Sequence, residues 1–462
     1  MEIMEQMQSL MKALEAGSQL AAPGQLNQGA SLQMEDLSPV MHNLTFKDKN
    51  IKLQKMVEKK EHKNTVFQFN RVLDYGIRGG SAQYEGNIGE EETSNYVRIV
   101  VPMAHYVTQR RVTLAANMVA TFDGKKADNR EAEASALKLA GDIEYDLFRG
   151  QADYSNNGVF DGNPLAAADM PGMIGLDRQV RQSDYQQNAQ DLAFAEFGSS
   201  LSSVLHANGT LAQSIIEDAS LRSAIAWGNA NKLMVDEYVL SAYNKIAFAK
   251  ERIVLAGSPQ ESTGAELRMQ HTAAGPISVE SSGFLRGKVQ PNRPRLGALA
   301  APASITVAQG SAGLSSLLAG SYVYYVTAEN ERGEGYASAS QSVTISANYS
   351  ITVTISAVAG ARLYNVYRSA AGGSAATARF IGKIKQGISN PVFTDLGNRL
   401  PGSVTGFLVQ GDSMELGELC PYTRAPLARG DLSDIEAHFR ILALGCMAPR
   451  YNVLLDNLVG NL

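Results

Sequence analysis

Cysteine is nearly absent from the 462 residues: Cys420 and Cys446 are the two present. Two thiols exclude a disulfide framework and a four-cysteine zinc site, and they suit a reducing cytoplasm. Charge is sparse too. Charged residues make up 19% of the chain and leave a net charge of -5, which argues against a protein that coats nucleic acid over its whole surface. So low a charge fraction in a chain this long points to surface covered by something else, and an oligomer is the simplest cover. No apolar run approaches the ~20 residues of a membrane span. The N-terminus does not read as a secretory leader, because Glu2 and Glu5 stand where a basic region belongs.

Patterns that carry chemistry are missing as well. His42, His62, His105, His206, His271 and His438 fall in no H-E-x-x-H frame, and none has zinc-site spacing to a cysteine. Gly124-Lys125-Lys126 lacks the earlier glycine and the following hydroxyl of a phosphate loop. Gly411-Asp412-Ser413-Met414-Glu415 fails the last position of a nucleophile elbow. Asp431, Asp434 and Glu436 read as acids at a helix start, where they would complement the helix dipole. Trp227 is the single tryptophan, so no stacking platform for single-stranded nucleic acid stands out. The sequence assigns no catalytic residue, no cofactor and no metal ligand.

What is present is a set of elements that one subunit alone does not use. Residues 1–16 read as a short amphipathic helix with Ile3, Met7, Leu10 and Leu14 on one stripe, and a helix so short needs a partner. A Gly/Ala/Gln-rich linker follows at 17–31, then a strongly basic run at 47–63 (KDKNIKLQKMVEKKEHK). Residues 65–74 and 96–104 alternate as strands around a Gly- and Glu-rich connection too long for a compact hairpin, which predicts an extended two-stranded arm. Residues 128–150 predict one amphipathic helix about 30 Å long at ~1.5 Å per residue. Its expected cap is Asp128 with Glu131, its expected stop Gly150, and its apolar stripe Ala136, Leu139, Ala140, Ile143 and Leu147. Residues 195–250 read as helical. Near Leu296 the composition shifts, and 304–396 breaks into short strands with turn signals, the pattern of a β-sandwich.

The ending of the long helix, residues 142–150 (DIEYDLFRG), resembles the end of the spine helix in major capsid proteins of tailed double-stranded-DNA bacteriophages. That family closes the helix on a similar acidic-aromatic "F-x-G" pattern. Residues 231–247 resemble a unit of capsid axial domains, and 439–458 (FRILALGCMAPRYNVLLDNL) resemble the last strands of capsid subunits. The stretches YVYYVTAENERGEG and LYNVYRS resemble immunoglobulin-like or fibronectin-type-III-like modules of phage structural proteins. In element order the resemblance spans roughly 67–295 and 402–462.

The resemblance implies an α+β chain with the Hong Kong phage-type capsid fold and an inserted all-β immunoglobulin-like sandwich. The implied divisions are an N-terminal helix and arm (1–65), an E-loop with flanking strands (66–120), and a peripheral domain (121–190). An axial domain (191–300), the sandwich (301–401) and a return through both domains (402–462) follow. The implied function is structural: self-assembly into hexamers and pentamers of an icosahedral head around double-stranded DNA, without catalysis or cofactor. Implied partners are copies of itself, portal, scaffolding and decoration proteins, and DNA on the inner face without sequence specificity, with no membrane. The implied location is the virion, assembled in the bacterial cytoplasm. Candidate inter-subunit contacts are the basic Lys52, Lys55, Lys59 and Lys60 against the acidic Glu85, Glu90, Glu91 and Glu92 of the arm tip, with Met7 and Leu10 on the terminal helix. Two rival readings are a tail or baseplate adhesin whose sandwich grips glycan, and an encapsulin-like cargo shell.

Overall fold

The computed structural model describes residues 45–75, 82–89, 91, 93–118, 126–153, 170–181, 193–194, 199–200, 203–250, 269–287, 291, 299–313, 315–330, 333–385, 390–428 and 432–460. The terminal helix expected at 1–16 with Met7 and Leu10, the linker at 17–31, and Glu90 and Glu92 lie outside the described residues.

The most periodic stretch forms one helix, Ala127–Arg149, with Leu139, Ile143, Leu147 and Phe148 buried. Its start differs from the expected one. Lys126 is the N-cap and contributes no side-chain cap, while Asp128 lies inside the first turn. The Asp128 carboxylate instead pairs with Arg424, and its N–H donates to Asn117 Oδ1 at 3.1 Å. These are tertiary partners that a local capping rule cannot see. Gly150 does end the helix, donating its N–H to the Asp146 carbonyl at 2.8 Å. With φ at -55° it supplies no left-handed turn. What it supplies is room, since a Cβ there would lie 2.2 Å from the Met173 carbonyl oxygen.

The long helix packs on a four-stranded sheet ordered Glu58–Glu61, Met414–Pro426, Ser433–Cys446 and Ala104–Thr113. A six-stranded sheet runs Met269–Thr272, Gly275–Ser281, Lys232–Val235, Val404–Val409, Val453–Leu458 and Val204–Gly209. Helices Gln213–Ile225 and Glu237–Lys250 share its second core, through Ile216, Ala219, Val239 and Tyr243. One apolar cluster joins Ile143, Leu147 and Phe148 of the long helix to Leu416, Leu442 and Leu444 of the first sheet. The same cluster takes in Met234, Phe407 and Leu454 of the second sheet, so helix and both sheets close on one core.

Two helical expectations are corrected here. Val204–Gly209 is a strand, pairing parallel with Val453–Leu458 at the edge of the six-stranded sheet. Val204 and Leu205 in so short a run fit either period, and the sheet edge decides. Asp434 and Glu436 likewise stand on the strand Ser433–Cys446 and head no helix, because that strand runs between two partners of the four-stranded sheet.

The predicted arm is present as Val66–Asp74 paired antiparallel with Asn95–Pro102. Its base is anchored: Phe67, Ile99 and Val101 are buried with Ile174 and Ala443. Strands from 305 to 395 form two further sheets. One runs Ile305–Ala312, Tyr349–Ile355, Val392–Asp395; the other runs Gly333–Ala337, Gly320–Asn330, Leu363–Arg368, Arg379–Lys385, with Gln341–Ile345 beside Gly320–Asn330. Among the described residues these strands pair only with one another. Their core is common to both sheets, with Tyr324, Val326, Tyr364 and Val366 facing Ile305, Ile351 and Val353.

Candidate assembly surfaces

The segment after residue 44 lies along the long helix and is held there by two devices. Gly141 leaves a gap in the helix surface that the Phe46 ring fills, for a Cβ at 141 would stand 2.4 Å from Phe46 Cζ. One turn on, the fully buried Glu144 accepts three backbone N–H groups, from Lys52 (2.9 Å) and Leu53 (2.7 Å) on Oε1 and from Gln54 (2.9 Å) on Oε2. Those are the orphan donors at the start of the short helix Leu53–Met56, satisfied by a carboxylate about ninety residues away in sequence. Burial pushes the Glu144 carboxyl above its ordinary range, against the pull of the three amides.

Within the chain, three of the four singled-out lysines already have carboxylate partners. Lys52 pairs with Glu280 at 3.5 Å, Lys55 with Asp48 at 2.5 Å, and Lys60 with Glu415 at 2.7 Å. The hydrogen bond to Glu415 holds the Lys60 ammonium above its usual range. Lys59 is exposed on Glu58–Glu61, and Glu85 and Glu91 are exposed at the arm tip. Among the described residues no ion pair joins the lysine set to the glutamate set.

The arm carries a second feature that charge counting passed over. Beyond its buried base it exposes Val72, Tyr75, Tyr96 and Val100, and at its tip Tyr84 is 87% and Ile88 97% exposed. Large apolar side chains inside a Gly/Glu loop were the available signal, since nothing local there could cover them. A lone two-stranded ribbon is marginal in water, so a ribbon that also presents apolar groups calls for a covering surface. Trp227 is similarly placed at the end of Gln213–Ile225: it is 82% exposed and holds φ at +68°, the left-handed region where a bulky side chain is strained.

His438 is buried with Nδ1 2.8 Å from the Tyr422 hydroxyl, and burial lowers its proton affinity. Cys446 is buried beside Asn452 and pushed up to about 12, so its thiol stays protonated. Asp146 on the long helix accepts the Tyr106 hydroxyl at 2.6 Å, and burial raises it to about 6. It lines a cleft of about 560 Å³ between the helix end and the two-sheet unit, together with Tyr145, Arg149, Lys383 and Arg399. Among the described residues no group of three His, Cys, Asp or Glu could hold a metal, and no helix is long and apolar enough to cross a membrane.

No protein-family model and no curated protein matches the chain. Solved structures do match. The capsid of a native GTA particle aligns with TM-score 0.49 at 10% identity, covering 96% of this chain and 100% of that one. The capsid of the Myoviridae phage XM1 aligns at 0.42 and 10% identity over 94% and 100% of the two chains. The holo encapsulin complex from Synechococcus elongatus aligns at 0.40 and 7% identity over 92% and 94%.

Proposed function

We propose that this chain is a shell-forming subunit of a phage-type capsid, a structural protein without catalytic work of its own. The observation that supports the reading best is the arm: anchored at its base by Phe67, Ile99 and Val101, yet presenting Tyr84 and Ile88 to solvent at its far end. Such a construction wastes apolar surface in a monomer. In a closed shell it distributes one more modest contact onto each neighbouring subunit. The order of elements supports the same reading. A docked basic segment, the arm, a long helix on a four-stranded sheet and a six-stranded sheet flanked by helices follow the plan that the DIEYDLFRG resemblance implies.

In this reading copies close into hexamers and pentamers around double-stranded DNA, with portal, scaffolding and decoration proteins as further partners, in a virion assembled in the bacterial cytoplasm. The divisions at 66, 121, 191, 301 and 402 serve as its domain boundaries, with 301–401 as an outward immunoglobulin-like insertion. Lys59, exposed on Glu58–Glu61, is the residue of the basic segment best placed to meet Glu85 or Glu91 of a neighbour. Met7 and Leu10 would dock a terminal helix on a neighbour or a scaffold.

The test is particle formation by the Tyr84→Ser, Ile88→Ser double variant, followed by negative-stain microscopy and thermal melting. The expected result is a subunit with unchanged melting temperature that yields few or no shells. Normal shells from that variant would refute the arm as the contact, and a collapsed melting temperature would place the tip in the subunit's own core. The contents of wild-type particles, DNA or enzyme cargo, divide the phage reading from the encapsulin-like one.

A further inference from the structure

On the face of the two-sheet unit turned toward the long helix, three side chains stand in an arrangement that the shell reading does not use. Asn365 and Lys383 are direct cross-strand partners on Leu363–Arg368 and Arg379–Lys385. Glu329, on the neighbouring strand Gly320–Asn330, reaches both of them. Its Oε2 accepts the Asn365 amide N–H at 2.7 Å and the Lys383 ammonium at 3.2 Å, with Oε1 3.5 Å from the same ammonium. One carboxylate oxygen therefore holds the amine and the carboxamide nitrogen at once. Asn365 is fully buried, and its amide nitrogen has further acceptors in Glu334 Oε1 at 3.1 Å and Thr327 Oγ1 at 3.4 Å. Its Oδ1 is buried without a hydrogen-bond partner, so the carboxamide is fixed through nitrogen alone.

We propose that Lys383 and Asn365 become joined by an intrachain isopeptide bond, with Glu329 as the proton carrier. In the resting arrangement the proton is on lysine and the pair is ionic. Transfer of that proton to Glu329 frees the amine to attack Asn365 Cγ, which forms the Nζ–Cγ bond and places the electron pair of the carbonyl on Oδ1. Collapse of that adduct breaks Cγ–Nδ2. The leaving nitrogen takes up the proton held by Glu329 together with the one released from Nζ. It departs as ammonium, leaving a secondary amide and Glu329 as carboxylate. Lysine ammonium plus carboxamide thus gives amide plus ammonium, with no oxidant, cofactor or second protein required. The arrangement favours the step because the attacked carboxamide is fully buried, and because the carboxylate that takes the proton already touches the group that must leave.

The bond would tie together two adjacent strands of the unit on the side lined by Tyr145 and Arg149 of the long helix. It would also remove the one positive charge of the Lys383 ammonium from that seam and leave the Glu329 carboxylate without its ion-pair partner.

The experiment is the intact mass of the purified full-length chain. The expected result is a deficit of one ammonia, about 17 Da, against the mass of the sequence. Tryptic digestion should release a branched peptide in which Lys383 is uncleaved and linked to the fragment bearing Asn365. The deficit should vanish in Glu329→Gln and in Lys383→Arg, the second of which keeps the cation and so tests the bond apart from the fold. A wild-type chain at its full sequence mass overturns the proposal outright, whatever the variants do. A deficit that persists in Lys383→Arg overturns it as well, because ammonia is then lost elsewhere, Asn208-Gly209 being the obvious succinimide site.

Discussion

Replacing Glu144 tests whether the segment around residues 45–57 is held by the long helix or merely lies on it. The Glu144→Ala variant strips three N–H groups of their acceptor at once. Lys52 is partly exposed and its N–H can turn to water, but Leu53 and Gln54 are buried at 0% and 5% exposure. Each buried donor left unpaired costs about 1–3 kcal/mol, and removing a buried carboxylate returns part of that, so a net loss of about 2–4 kcal/mol is expected. The loss should be local. Leu53 and Val57 would leave the apolar cluster of the long helix while the two sheets stay closed. Two readings follow: hydrogen exchange should accelerate at the Lys52, Leu53 and Gln54 amides, and trypsin should cut among Lys47, Lys49, Lys52 and Lys55 at concentrations that leave the parent chain whole. Glu144→Gln, which keeps one carbonyl acceptor, should fall between parent and alanine variant. Unaltered exchange at those three amides in the alanine variant would refute the carboxylate as the pin.

Asp146 makes stability depend on pH in a defined direction. Its folded value of about 6 exceeds the ordinary 3.8, so the folded chain binds that proton more tightly. The contribution is complete below the unfolded value and is lost as pH rises through about 6, by up to about 3 kcal/mol. Denaturation midpoints should therefore fall across that window in the parent and stay flatter in Asp146→Asn; equal slopes would refute the assignment. Replacing residues 301–401 with a short Gly/Ser linker should leave particles that still form, because the strands from 305 to 395 pair only among themselves in the described residues. A folded remainder that forms no shell in electron micrographs would count against a peripheral unit.

Elements whose partners are local were legible in the sequence. The long helix was placed to within one residue at each end, and the arm strands nearly as closely, because each carries its own period over eight residues or more. The strands SYVYYVTAEN, SITVTISAV and LYNVYRS were legible for the same reason. Illegible features depend on distant partners. Asp128 looked like a cap until Arg424 claimed it, and Val204–Gly209 looked helical until Val453–Leu458 paired with it. Glu144 read as one acid in a polar helix ending, and nothing near it announces that it serves the backbone of residues 52–54. The Lys383–Glu329–Asn365 group is spread over three strands and has no spacing to detect. For the basic segment, sequence reading saw charge but not that Glu280, Asp48 and Glu415 already answer it.

The strand order has a consequence for the sequence of events during synthesis. Met414–Pro426 and Ser433–Cys446 occupy the middle of the four-stranded sheet, between strands made some three hundred residues earlier. Val404–Val409 and Val453–Leu458 stand likewise inside the six-stranded sheet. Neither sheet can close while the ribosome is still making residues 305–395, yet that stretch contains every strand its own two sheets need. The two-sheet unit is thus free to fold first, while the earlier half of the chain waits with the sides of its sheets unjoined. Contacts of such long sequence separation close slowly. In the proposed shell reading, a chain built this way cannot present a finished contact surface until its last strands arrive, which would delay association with neighbours until the chain is made.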